Sequence, residues 1–159
     1  MYMATRTFIA ERQKFCESKL SVVSVKKLGS GKLNDCTNNA LDATEEGDEV
    51  RTVTGWLVHP YDAIKNATEI VQHWWNMNSD GSYFDTSPNI GDDCEYVKDM
   101  DLIYYFFKNT ENIDNNVALS LVLSDGIFIG VDEDKSSPLG IKRLIISSLE
   151  TEVLYRHKN

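Results

Sequence analysis

The sequence predicts an α+β fold in one domain spanning residues 1–159, with N-terminal helices packed on an antiparallel β-sheet. Three observations predict it. Apolar residues at helical spacing are concentrated in the N-terminal part. Later segments alternate apolar and polar residues, as half-buried strands do. Two Asp-Gly pairs, Asp80-Gly81 and Asp125-Gly126, separate short β-prone runs and read as hairpin turns.

Phe8, Phe15, Leu20 and Val23 form an incomplete apolar stripe, so residues 5–27 are expected to be one helix, with a break near Ser21 where Val22, Val23 and Val25 crowd together. Leu28-Gly29-Ser30-Gly31-Lys32 is a loop. Asn34-Asp35 then supplies N-cap chemistry for a helix over 36–46, which Gly47 ends. Residues 50–58 alternate and are rich in Val and Thr, so they predict a strand that His59-Pro60 stops. Ala63, Ile64, Ala67 and Ile70 fall at three/four spacing and predict a short helix over 61–71. Strands are expected at 73–77 and 82–85. Residues 88–100 read as irregular or helical. Further strands are expected at 103–107, 117–123 and 127–131, and a strand or terminal helix from 141.

Composition narrows the function classes. A net charge of −9 disfavours nucleic acid and anionic membranes, both polyanions, and favours basic or neutral partners. The acidic runs at 45–49 and 132–134 read as solvated loops. Charges interrupt every apolar stretch of the first fifteen residues, which therefore do not read as a signal peptide. No window approaches the roughly 18 apolar residues of a membrane helix. Cys16, Cys36 and Cys94 are odd in number and irregularly spaced, which points to free thiols in a reducing, cytoplasmic setting. The sequon Asn66-Ala67-Thr68 is then a chance match.

Cys36 follows Asn34-Asp35 at a predicted helix start. Unpaired N–H groups and the positive end of the helix dipole stabilise a thiolate there, and the same N–H groups can hold an oxyanion. His73 falls on a predicted strand beside aromatic residues. Asp85 lies across the Asp80-Gly81 turn, where a carboxylate can orient an imidazole. Each residue has a plainer role available. Cys36 can be a small core residue, His73 a hydrogen-bonded structural histidine, and Asp85 an Asx-turn residue before Thr86-Ser87-Pro88.

Taken in order, these segments resemble the transglutaminase-like core of the papain-type cysteine hydrolases. Cys36 begins a helix with Ala40 four residues on. Arg51-Thr52-Val53-Thr54-Gly55-Trp56 matches Arg-x-Val-x-Gly-aromatic. His73-Trp74-Trp75 matches His-x-Trp, and Asp80-Gly81, Tyr83 and Asp85-Thr86 follow. The likeness covers residues 36–88, about one third of the chain. The glycine usual two residues before the Cys is Asn34 here, and two spacings are shorter than usual. The resemblance implies a papain/transglutaminase-like fold and a Cys36–His73–Asp85 triad without a cofactor. The triad would perform hydrolysis or amine transfer at an acyl group of a protein or peptide substrate, with Asn34 and Trp75 at the oxyanion or substrate. The alternative is an inactive acidic protein of the same fold that docks a basic partner or acts as an inhibitor. The sequence does not fix the oligomeric state.

Other motifs fail on chemistry. Gly29-Ser30-Gly31-Lys32 lacks the earlier Gly of a phosphate-binding loop, and Leu33 replaces its Ser/Thr. Residues 76–87 begin like a calcium loop but place Ser87 where the bidentate Glu belongs. Cys36, His73 and Cys94 lack zinc-ligand spacing. The aromatic residues at 56, 74–75 and 104–107 lack interleaved basic residues, so core packing is expected over base stacking.

Overall fold

In the computed structural model, residues 1–47, 49–103 and 119–156 are described. The helices are α1 (Met3–Gln13), α2 (Cys36–Glu46) and α3 (Thr151–Arg156). The strands are β1 (Ser21–Val23), β2 (Val25–Lys27), β3 (Arg51–Val58), β4 (Thr68–Met77), β5 (Tyr83–Asp85), β6 (Glu95–Lys98), β7 (Ser120–Ser124), β8 (Ile127–Glu133) and β9 (Ile141–Ile145). They make one open sheet in the order β1-β6-β3-β4-β7-β8-β9, with β5 joining β4 and β2 joining β5. Every pairing is antiparallel except β2 with β5. The chain is thus a mixed α/β protein with few helices on a mostly antiparallel sheet. No described helix is long and apolar enough to cross a membrane.

The N-terminal helix is shorter than its apolar stripe predicts. Gln13 ends it by folding its amide back on the chain: Oε1 accepts from Leu20 N, and Nε2 donates to the carbonyls of Cys16 and Ser18. The β-branched run that follows is two short strands, as its stiff side chains favour. The helix expected over 61–71 is absent. Asp62 Oδ1 accepts from the N–H groups of Ile64 and Lys65 in an Asx turn, Ile64 is 98% exposed, and β4 begins at Thr68. Residues 95–98 are a strand. Met100 opens a helical turn over 100–103, and the rest of the strand expected at 103–107 lies outside the described residues, as do residues 117 and 118 of the next.

Alternation along β3 and β4 gives the sheet two faces. Trp56, Val58 and Ile70 join Val97 and Leu121 on one face and pack against Phe8 of α1 and Leu154 of α3. Val53, Leu57, Trp75 and Tyr96 cluster on the other. Gly55 lets β6 and an indole approach. A Cβ there would lie 1.9 Å from the Val97 carbonyl oxygen and 2.8 Å from the Trp75 ring. Asp99 ties the layers together. It receives Arg12 Nε at 2.8 Å and Trp56 Nε1 at 2.9 Å, while Arg12 Nη1 donates to the Leu149 carbonyl at 2.6 Å. Arg12 and Asp99 are both buried.

Two variants test these supports by urea denaturation. Asp99→Asn is expected to lose about 3–5 kcal/mol, because it leaves the buried guanidinium without its counter-charge. Gly55→Ala is expected to lose about 3 kcal/mol or more, since the clashing partner is backbone. Losses below about 1 kcal/mol would show that neither contact matters.

Candidate active site

β4 changes neighbours halfway along. Residues 68–71 pair with β7, and Asn76 and Met77 pair with β5. Among the described residues no ladder pair covers 73–75 on that side. α2 packs beside this opening. Ala40 clusters with Trp74 and Ile103, Cys36 packs against that cluster, and Asn76 Nδ2 donates to the Ala40 carbonyl at 2.8 Å. His73 therefore stands on the central strand where the sheet is split and a helix start comes near.

The segment entering α2 is registered on the strand that carries Asp85. β2 pairs in parallel with β5, placing Lys27 opposite Asp85. The contact continues as Leu28 N donates to the Asp85 carbonyl at 2.8 Å and Gly31 N to the Thr86 carbonyl at 2.6 Å. Asn39 of α2 then clamps Lys32, accepting from its N–H and donating to its carbonyl, each at 2.8 Å. Asn34 has φ +56°, a left-handed conformation that Asn tolerates better than most residues. It occupies the position where the family resemblance calls for glycine. Asp35 is the N-cap, but its side chain does not cap a helix N–H; Oδ1 accepts from Asn38 Nδ2 instead. The expected Asp cap is thus spent on a side chain.

His73 and Asp85 meet directly: Nε2 donates to Oδ2 at 2.7 Å, with both side chains buried. The Tyr96 hydroxyl donates to the same oxygen at 2.8 Å, and Ser87 N donates to Oδ1 at 2.8 Å. Asp85 is thus both the imidazole's partner and the Asx residue of its own turn. Burial alone would lower the His73 pKa. The hydrogen bond to Asp85, the hydrogen bond to Cys36 and their negative charge outweigh it and raise the value to about 9. Burial pushes the Asp85 pKa up, but His73 first, then Ser87 N–H and Tyr96, hold it below the ordinary carboxylate value. Burial and Asp85 raise the Tyr96 hydroxyl, which stays a donor. With Nε2 committed to Asp85, Nδ1 is the ring nitrogen left for the Cys36 thiol.

Cys36, His73 and Asn34 line one cavity of about 440 Å³ with Leu57, His59, Val71, Gln72, Ser87 and Pro88. Trp75 corrects the expectation of a substrate contact. It is fully buried, outside the cavity, and its ring stacks 6.3 Å from the imidazole centroid and meets Tyr96 edge-on at 5.3 Å. Its place behind His73 follows from strand alternation, since residues two apart share a face. Sequence reasoning missed Tyr96, Ser87 and His59. Tyr96 belongs to a strand not expected, and His59 read only as a strand stop. Among the described residues no group of three or more His, Cys, Asp or Glu side chains is placed to hold a metal ion. Comparison with protein-family models, with curated proteins and with solved structures finds no match.

The linked ionisations set a stability profile. A raised His73 pKa contributes stability fully present below 6.5 and lost as pH rises through about 9. A lowered Asp85 pKa contributes stability present above 3.8 and lost as pH falls through its lower folded value. Urea midpoints are therefore expected to form a plateau between about 4 and 6.5 and to fall on both sides. By NMR the His73 ring is expected to titrate near 9, and clearly lower in Asp85→Asn, where burial acts with less opposition. An unshifted ring in that variant would refute the assigned coupling.

Proposed function

We propose that this protein is a cysteine-dependent acyl-group hydrolase or transferase built on a papain/transglutaminase-like core. The observation that carries the reading is the His73–Asp85 contact at 2.7 Å, with Cys36 lining the same cavity as that imidazole. Such an arrangement is what nucleophilic catalysis by a thiol requires: a nucleophile, a base beside it and a third group that orients the base. The Cys-bearing helix beside the β3–β4 pair, and the order Cys, His, Asp along the chain, support the fold assignment. Three free cysteines support a reducing, cytoplasmic setting. The charge of −9 supports a neutral or basic protein or peptide substrate over nucleic acid or membrane.

In this mechanism the Cys36 sulfur attacks the acyl carbon. The oxyanion that forms is held by the Cys36 backbone N–H and the Asn34 amide. As the intermediate collapses, the carbon–nitrogen bond breaks and the protonated His73 gives its proton to the departing amine, leaving a thioester on Cys36. Neutral His73 then takes a proton from water or from an incoming amine as that nucleophile attacks the thioester. The carbon–sulfur bond breaks, Cys36 leaves as thiolate, and the proton stays on His73. Asp85, fixed by Tyr96 and the Ser87 N–H, orients the ring throughout and stabilises the imidazolium whenever His73 is protonated.

The test is the rate of iodoacetamide labelling of each cysteine, mapped by mass spectrometry. Cys36 is expected to react at least about tenfold faster than the other two at pH 7, and to fall to their level in His73→Ala. Burial and Asp99 push the Cys16 thiol up to about 12, and burial and Asp93 raise Cys94, so both serve as slow internal controls. Slow labelling of Cys36 that ignores the His73 substitution would refute the acyl-transfer reading and leave an acidic binding protein on this fold.

A further inference from the structure

The cavity continues well beyond the cysteine. Gly55 pairs with His73 and Leu57 with Val71, so Leu57, Val71 and His73 share one face. The pairing extends past the end of β3, since His59 N donates to the Glu69 carbonyl at 3.0 Å. His59 therefore stands on the same face as Leu57, four residues along β3 from Gly55. At about 3.3 Å per residue, the floor runs roughly 13 Å from His73 to His59. Its middle is aliphatic.

The far end is built. Cys94 Sγ lies 3.6 Å from His59 Nδ1, and Pro60 fixes the backbone beyond it. Among the described residues Nε2 of His59 has no hydrogen-bond partner, and the ring lines the cavity. The wall holds a second such group. Ser87 is 6% exposed, lines the cavity, and its hydroxyl is buried without a partner, although its N–H is bound to Asp85. A buried hydroxyl left unsatisfied is unfavourable, and a ligand that partners it relieves that penalty. Among the described residues no Lys or Arg lines the cavity, Asp35 does, and His73 is already charge-paired with Asp85, so a carboxylate is disfavoured there.

We propose that this cavity is a groove for about four residues of uncharged, extended peptide, with His59 as its far-end contact and Ser87 as a contact on its wall. An extended chain has the same rise as the floor beneath it, and it alternates hydrogen-bonding groups with apolar ones. The proposal rests on the acyl-transfer reading for the direction of the substrate, which places the reacting carbonyl at Cys36.

The experiment separates groove from chemistry by using Cys36→Ala and following amide chemical shifts during titration. The probes are pooled N-acetylated, C-amidated tetrapeptides of Ala, Val, Ser and Asn, the matching dipeptides, and tetrapeptides with one Glu. Tetrapeptides are expected to shift Leu57, His59, Val71 and His73 together and to bind at least fivefold tighter than dipeptides. The Glu-containing set should bind at least fivefold weaker. His59→Ala should abolish the length advantage while His59→Gln keeps part of it, and Ser87→Ala should weaken both lengths. No binding, equal affinity for both lengths, or indifference to His59→Ala would overturn the groove. Intact peptide binding alongside slow, His73-independent labelling of Cys36 would support the groove and remove only the chemistry.

Discussion

The architecture turns on β4. A strand of ten residues lies at the centre of the sheet, yet its second edge is shared by two partners that never overlap. Backbone N–H and C=O groups must find partners when buried, so a gap in a ladder is tolerated only where something else packs against it. Here α2 supplies that packing, with Asn76 reaching the Ala40 carbonyl. The split brings a helix start to a strand interior. A continuous sheet would bury His73 under a neighbouring strand and keep Cys36 away.

Asp85 is where the separate parts of the chain converge. It takes hydrogen bonds from β4 through His73, from β6 through Tyr96, and from its own turn through Ser87. Its backbone carbonyl meanwhile receives Leu28, in the segment leading to Cys36. A single residue thus fixes both the imidazole and the approach of the helix. Burial is the dominant penalty on its charge, and the three donors are what keep the carboxylate ionised. Asp99 has a corresponding structural role on the opposite side of the sheet, where it gathers Arg12 and Trp56.

Local signals were legible where local chemistry decides. The second helix begins at Cys36 and ends before Gly47, and the strand expected at 50–58 is found at Arg51–Val58, buried on both faces from Val53 onward. The Asp125-Gly126 turn has φ of +49° and +76°, the left-handed pair that Asp-Gly accepts most readily. Misreadings came from patterns that tertiary contacts override. The spacing of Ala63, Ile64 and Ala67 mimics a helix, but Asp62 captures the backbone first. The run at 22–27 is too short to announce two strands, because each is held by a partner far along the chain, β1 by β6 and β2 by β5.

By itself the sequence determined the residue types of the candidate site and their order. It also determined the helix start at Cys36 and the strand that carries His73, since caps, turns and alternation act over a few residues. Only the tertiary structure decided that Asp85 reaches His73, that Tyr96 shares its oxygen, that Trp75 lies behind the imidazole, and that His59 faces the same cavity. Those relations depend on strand register and on where β4 exchanges one neighbour for another. Register is set by the packing of both sheet faces at once, a condition that no short stretch of sequence contains.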